Sequence, residues 1–175
     1  HDTGYTKIVQ GHENESANIA EEYLRAKNFD ENYISEVQKY ILITVLHNIP
    51  TNVGEAIVKD ADNFHLGQLE YSKIAELLRD EIAKICGKEY TDYEWNVENR
   101  NFFLNVHHYY TDAAKDLWQK GKEDNYLSIQ NKIKEIEFLG EIPNKFDLKK
   151  KKNDKLQQPD RGVDTLFRVT LNNHT

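Results

Sequence analysis

The sequence opens on His1-Asp2 and later carries Asp60-Ala61-Asp62. An imidazole and the carboxylate beside it can both reach one divalent cation. A carboxylate from a distant helix then completes a mixed nitrogen and oxygen site of the kind that suits Mn, Fe, Mg or Zn. A His-Asp pair alone is common by chance, so order and context carry the reading. Here His-Asp-x-Gly is followed by Gly11-His12-Glu13 at a helix start, and then by Asp-Ala-Asp directly after Ile57-Val58-Lys59. Lys59, one turn before Asp62, is either a cation for a substrate phosphate or a solvated lysine. His47, at the end of a helical stretch, either reaches the same pocket or serves as a cation at a helix C-terminus.

The elements that must position these residues are helical. Ala17, Ala20 and Leu24 mark one face of a segment over about 14–27, and Ile34, Val37, Ile41 and Thr44 mark a second after a cap at Asp30. Ile74, Leu77, Leu78, Ile82 and Ile85 form the cleanest apolar stripe, ending at Gly87, with Cys86 on it as a buried, inert thiol. Thr91-x-x-Glu94 reads as a capping box that opens a long helix with Trp95, Phe102, Phe103 and Val106 inward. His107-His108-Tyr109-Tyr110 continue along that helix, with one His and one Tyr facing the core. Further helices are expected over Asp112–Trp118 and about Tyr126–Leu139, the last stopped by Gly140 and Pro143. No run alternates with period two. The expected class is all-α, a bundle of about seven helices.

The run HDTGY…GHENESANIAEEYL…EAIVKDADNFHLG resembles the HD-domain superfamily of metal-dependent phosphohydrolases, over roughly residues 1–140. That resemblance implies a divalent metal held by a His on an earlier helix, by the His-Asp doublet and by an Asp on a later helix. Carried over, His1 and Asp2 are the doublet and Asp62 is the later ligand, with Asp60 behind it or capping a helix. The earlier His is not among these residues. A longer native protein, or an incomplete site, is therefore expected, and the absence of any methionine points the same way. The resemblance also implies that Asp2 orients an activated water and that His12 lines the site and passes a proton to the leaving oxygen. His12 could equally cap its helix or lie on the surface. The expected activity is hydrolysis of a nucleotide or other phosphate ester. The alternative is a non-catalytic nucleotide-binding domain that regulates a C-terminal membrane effector region.

Composition narrows the partners. In 175 residues, 23 Lys+Arg stand against 30 Asp+Glu, and the resulting −7 argues against a nucleic-acid partner. One cysteine cannot form an internal disulfide, which suits a reducing compartment. No stretch approaches the roughly 20 apolar residues of a membrane span, and no signal-peptide pattern is visible. The charge is uneven: residues 1–140 hold 15 Lys/Arg against 25 Asp/Glu, or −10, and the remainder is +3. Residues 141–159, with Lys149-Lys150-Lys151-Lys152, read as a basic linker. Beyond it, Val163, Leu166, Phe167 and Thr170 fit one face of a short helix in a region covering 160–175. The segment PDRGVDTLFRVTLNNHT resembles the opening of the membrane-associated region of bacterial Pycsar effectors. This implies a cytoplasmic domain tethered to the bacterial inner membrane through a region beyond Thr175.

Overall fold

The computed structural model describes residues 1–140; the basic linker and the short C-terminal helix expected above lie outside the described residues. All regular structure among the described residues is helical, as the periodicity requires. A 3-10 turn at Thr3–Thr6 leads to α1 (His12–Ala26), α2 (Glu31–Leu42) and α3 (Val53–Asp62). After a second 3-10 turn at Phe64–Gly67 come α4 (Tyr71–Cys86), α5 (Asp92–Asn101), α6 (Asp112–Ala114) and α7 (Lys120–Leu139). Two stretches are wound as π-helix: Phe102–Val106 after α5, and Lys115–Gln119 between α6 and α7. The second joins α6 to α7 without a break. The two helices expected over Asp112–Trp118 and Tyr126–Leu139 are therefore one rod, and six rods form among the described residues. Gly121 does not interrupt that rod. A Cβ there would lie 2.0 Å from Gly67 O, so this glycine serves a close crossing with the Phe64–Gly67 turn. No helix among the described residues is long and apolar enough to cross a membrane.

Local signals set most of the boundaries. Asp30 caps α2 by accepting from Tyr33 N at 3.0 Å. Thr91 and Glu94 form both halves of the capping box that opens α5. Gly87 and Gly140 end α4 and α7 with φ of +61° and +69°, a region that favours glycine. The core gathers Tyr71, Ala75, Leu78 and Ile82 of α4 against Trp95, Phe102 and Phe103 on one side and Ile129 and Ile133 of α7 on the other. The stripe expected on α4 is thus rotated. Leu78 and Ile82 are buried, but Leu77 and Ile85 are exposed, because Tyr71 and Ala75 turn inward and the Tyr71 hydroxyl donates to Asn99 Oδ1.

The aromatic helix also ends earlier than expected. His107 has φ −98° and ψ 133°, so His107-His108-Tyr109-Tyr110 form an extended connection and not a helical face. Two buried charges hold that connection. The Asp60 carboxylate accepts from Tyr110 N, Thr111 N and Thr111 Oγ1, each at 2.8 Å. Lys122 Nζ donates to His107 O at 2.6 Å.

Candidate functional site

The Thr3–Thr6 turn is seated on the first turns of α1 by a glycine contact. Gly4 N donates to Ser16 Oγ at 2.8 Å, and a Cβ on Gly4 would lie 2.0 Å from His12 O. His12 and Ser16 are one helical turn apart, so both sit under the turn that carries His1-Asp2. Lys7 Nζ donates to Glu15 Oε1 at 2.6 Å and ties the far side of the turn to the same helix. Backbone against backbone, not side-chain burial, brings the His-Asp pair to α1.

The C-terminus of α3 completes the cluster. His1 Nε2 lies 3.0 Å from Asp2 Oδ2 and 3.1 Å from Asp62 Oδ1. The two carboxylates are almost fully buried, while the His1 side chain keeps 32% of its surface. His12 is 0% exposed, and its Nε2 faces Asp2 Oδ1 at 3.5 Å. Its other nitrogen, Nδ1, is 3.1 Å from Val9 O. A carbonyl oxygen only accepts, so Nδ1 donates to it, with Glu13 Oε2 3.4 Å from the same nitrogen. The buried Nε2 makes no hydrogen bond. Tyr5 stacks on the His12 ring at 3.7 Å between centroids, and Asn63 Nδ2 donates to Asp62 Oδ2 at 3.3 Å.

Electrostatics follow from this arrangement. Burial opposes a charge on His1, but hydrogen bonds to Asp2 and Asp62 outweigh it and raise the imidazole from 6.5 to about 9. In the metal-free state His1 is therefore a protonated bridge between two carboxylates. Among the described residues no three His, Cys, Asp or Glu side chains form a ready-made metal cage. The imidazole nitrogens and carboxylate oxygens gathered here are donor types that divalent cations take. With bonds of about 2.1 Å, adjacent ligands stand ~3.0 Å apart at right angles and ~3.4 Å apart in a tetrahedron; the two His1 contacts, 3.0 and 3.1 Å, fall in that range, and the 3.5 Å from His12 Nε2 to Asp2 Oδ1 lies beyond it.

The four residues His1, Asp2, His12 and Asp62, singled out in sequence, are thus brought together. The other two are placed elsewhere. Lys59 is buried with its Nζ donating to Ile43 O, Val45 O, Leu46 O and Asn48 O at 2.6–3.1 Å, so its charge is spent on the turn after α2. His47 lies on that turn, exposed, beyond the end of α2. Asp60 points to the start of α6, as a cap. Tyr5, Ser16 and Asn63 escaped the sequence reading. Only Ser16 left a trace there, since it follows His12 at helical spacing. The larger open grooves, each about 510 Å³, lie away from the cluster, one lined by Arg100, Leu104 and Tyr126 and one along the acidic face of α1. Comparison with known protein families, with curated proteins and with solved structures returns no match.

Proposed function

We propose that residues 1–140 form a divalent-metal-dependent phosphohydrolase domain of the HD type, acting on a nucleotide or another phosphate ester. The observation that carries this reading is the convergence of His1 Nε2, Asp2, Asp62 and His12 Nε2 within 3.0–3.5 Å contacts, from three separate elements. His1, Asp2 and Asp62 would hold the ion. When bound, it would supply a water of lowered pKa and positive charge against a phosphoryl oxygen. The resemblance of HDTGY, GHEN and KDADNF to that superfamily supports the substrate class. So does the charge of the domain, since a −10 surface attracts an anionic ligand only where a cation is held.

The residues have distinct tasks in this proposal. His1 gives the one partly exposed edge, so substrate approaches from its side. Asp2 presents Oδ2 to His1 and Oδ1 to His12, and so orients whatever lies between them. His12 is fully buried behind Asp2 and stacked on Tyr5. It acts through Asp2, holding or releasing a proton at Nε2, and any transfer towards a leaving oxygen passes by that carboxylate. Lys59 has no part at the phosphate, because four carbonyls hold its ammonium. The setting proposed for the domain is the cytoplasmic face of a bacterial inner membrane, on the strength of the tail's resemblance alone.

Titrating Mn²⁺ or Zn²⁺ into the metal-free protein at pH 7.5 tests the reading. One ion should bind, with release of about one proton as His1 gives up its bridge. Asp62→Ala should abolish both. Loss of neither, or no stoichiometric binding to the parent, would refute the ligand assignment. Metal and nucleotide binding without phosphate release would favour the non-catalytic, regulatory domain.

A further inference from the structure

Helix α3 ends at Asp62, and the next residue turns its side chain back onto that end. Asn63 leaves the helix with φ −106° and ψ 14° and is 5% exposed. Its Nδ2 donates to Lys59 O, one turn back, at 3.1 Å, and to Asp62 Oδ2 at 3.3 Å. Both partners only accept, so the amide nitrogen faces them and both of its N–H groups are used. The other Asp62 oxygen, Oδ1, is the one that lies 3.1 Å from His1 Nε2. One carboxylate is thus held between an amide beside it in the chain and the imidazole across the cluster.

The amide is itself fixed from several directions. Asn63 N donates to Asp60 O, and Asn63 O accepts from Leu66 N, each at 3.2 Å. The Tyr109 hydroxyl donates to the same Asn63 carbonyl at 3.4 Å. Behind it, Lys59 reaches four carbonyls of the turn after α2, and Asp60 accepts three hydrogen bonds at the start of α6. These two buried charges set the rotation of α3, even though Val53, 72% exposed, and Ile57, 54% exposed, are left in an apolar stripe on its outer side. Asp62 has one freedom that the helix does not remove. The torsion that turns its carboxylate plane is broad and roughly two-fold, so a bond to one oxygen decides where the other points.

We infer that Asn63 is a positioning residue for the metal proposed at His1, Asp2 and Asp62: by holding Asp62 Oδ2 it aims Oδ1 into the cluster. The inference rests on that metal reading and deepens it, naming a residue that acts through a ligand and not as one. Partners of this kind orient a ligating carboxylate, and their loss typically lowers metal affinity about 10–100-fold. The side-chain type fits the task. Serving Lys59 O and Asp62 Oδ2 together takes two donors on one nitrogen at short reach, whereas Ser and Thr carry one donor and Asp at neutral pH carries none. The position fits as well, since the residue after the ligand is anchored to the same helix end and moves with it.

Titration of Mn²⁺ into the 175-residue chain, followed by the EPR signal of the free ion, tests it without recourse to activity. Asn63→Ser leaves one hydroxyl donor, which from this position returns to the carbonyl four residues back, so the bond to Lys59 O is kept and the bond to Asp62 is lost. Its dissociation constant should rise about tenfold or more, with an unchanged helical spectrum. Asn63→Thr, with the same single donor, should behave alike. Tyr109→Phe is the control, because it removes a bond to the Asn63 backbone and leaves both Nδ2 bonds in place. Its affinity should match the parent's. With Co²⁺ in place of Mn²⁺, the visible spectrum of the bound ion should change in Asn63→Ser and not in Tyr109→Phe. Equal affinity in the parent and Asn63→Ser would overturn the inference while leaving the metal reading standing. So would equal losses in Asn63→Ser and Tyr109→Phe, which would mark a general loosening of this helix end. A parent that binds no Mn²⁺ would overturn both.

Discussion

Gly4→Ala examines the joint that brings the His-Asp pair to α1. Gly4 is not among the glycines with positive φ, which are Gly11, Gly87 and Gly140, so the backbone accepts alanine there. At such positions Gly→Ala ordinarily stabilises by about 0.4–1 kcal/mol through the unfolded chain. Here the new methyl would lie 2.0 Å from His12 O and 2.8 Å from Ser16 N, both backbone atoms of a helix. Ordinary contact begins at 3.4 Å, so the turn must lift by about 1.4 Å. That movement stretches the 2.8 Å bond from Gly4 N to Ser16 Oγ beyond reach. Overpacking costs about 1–3 kcal/mol and the lost bond about 1 kcal/mol, so a net loss of about 2 kcal/mol is expected. Ser16→Ala, which removes only the bond, should cost about 1 kcal/mol. Urea denaturation measures both, and NMR titration of His1 adds an independent readout. Displacing His1 from Asp62 should drop its pKa from about 9 towards the ordinary 6.5. A Gly4→Ala protein as stable as its parent, with His1 still titrating near 9, would refute the seating of this turn.

Three further outcomes follow from buried charges. Lys59→Met should destabilise by about 3 kcal/mol or more in urea melts, because the carbonyls of Ile43, Leu46 and Asn48 lose this donor while Val45 O keeps Asn48 N, and Lys59→Arg should not restore it, since a planar fork cannot reproduce the converging arrangement. His1 binds its proton more tightly in the folded metal-free protein, so its stabilising contribution is complete below pH 6.5 and vanishes as pH rises through about 9. Asp62→Asn should flatten that part of the stability profile. Lys122 behaves oppositely: burial lowers it from 10.5 to about 8, so stability should rise between those values as the buried charge disappears. Comparing melts of the parent and Lys122→Met across this range isolates the rise, and a parallel pair of curves would contradict it.

What was legible in the sequence was local chemistry. The cap at Asp30, the Thr91–Glu94 box and the glycine stops at 87 and 140 each depend on a few adjacent residues, and each stands where it was expected. The candidate cluster was legible through motif order, not through periodicity, since nothing in an apolar pattern says that Asp62 meets His1. What was hidden depends on partners distant in the chain. The long aromatic helix ends at Val106 because Asp60, far away in sequence, captures the backbone at 110 and 111. Gly121 looks like a breaker until Gly67 is found against it.

Helix α3 shows why such cases mislead in one direction. A pattern reading assigns apolar residues to the core and charges to solvent, and Lys59 accordingly read either as a cation for a substrate phosphate or as a solvated lysine. The backbone of the turn after α2 aims four carbonyls at one point, of which Val45 O also accepts from Asn48 N, and the three N–H groups of one buried ammonium are shared among them. Asp60 does the same for unpaired donors at the start of α6. Once two charges are needed inside to complete the backbone hydrogen bonding of neighbouring elements, the apolar residues between them have only the outer side left. The polarity of α3 thus follows from the connections around it, and its exposed stripe and its terminal Asp62 share that cause.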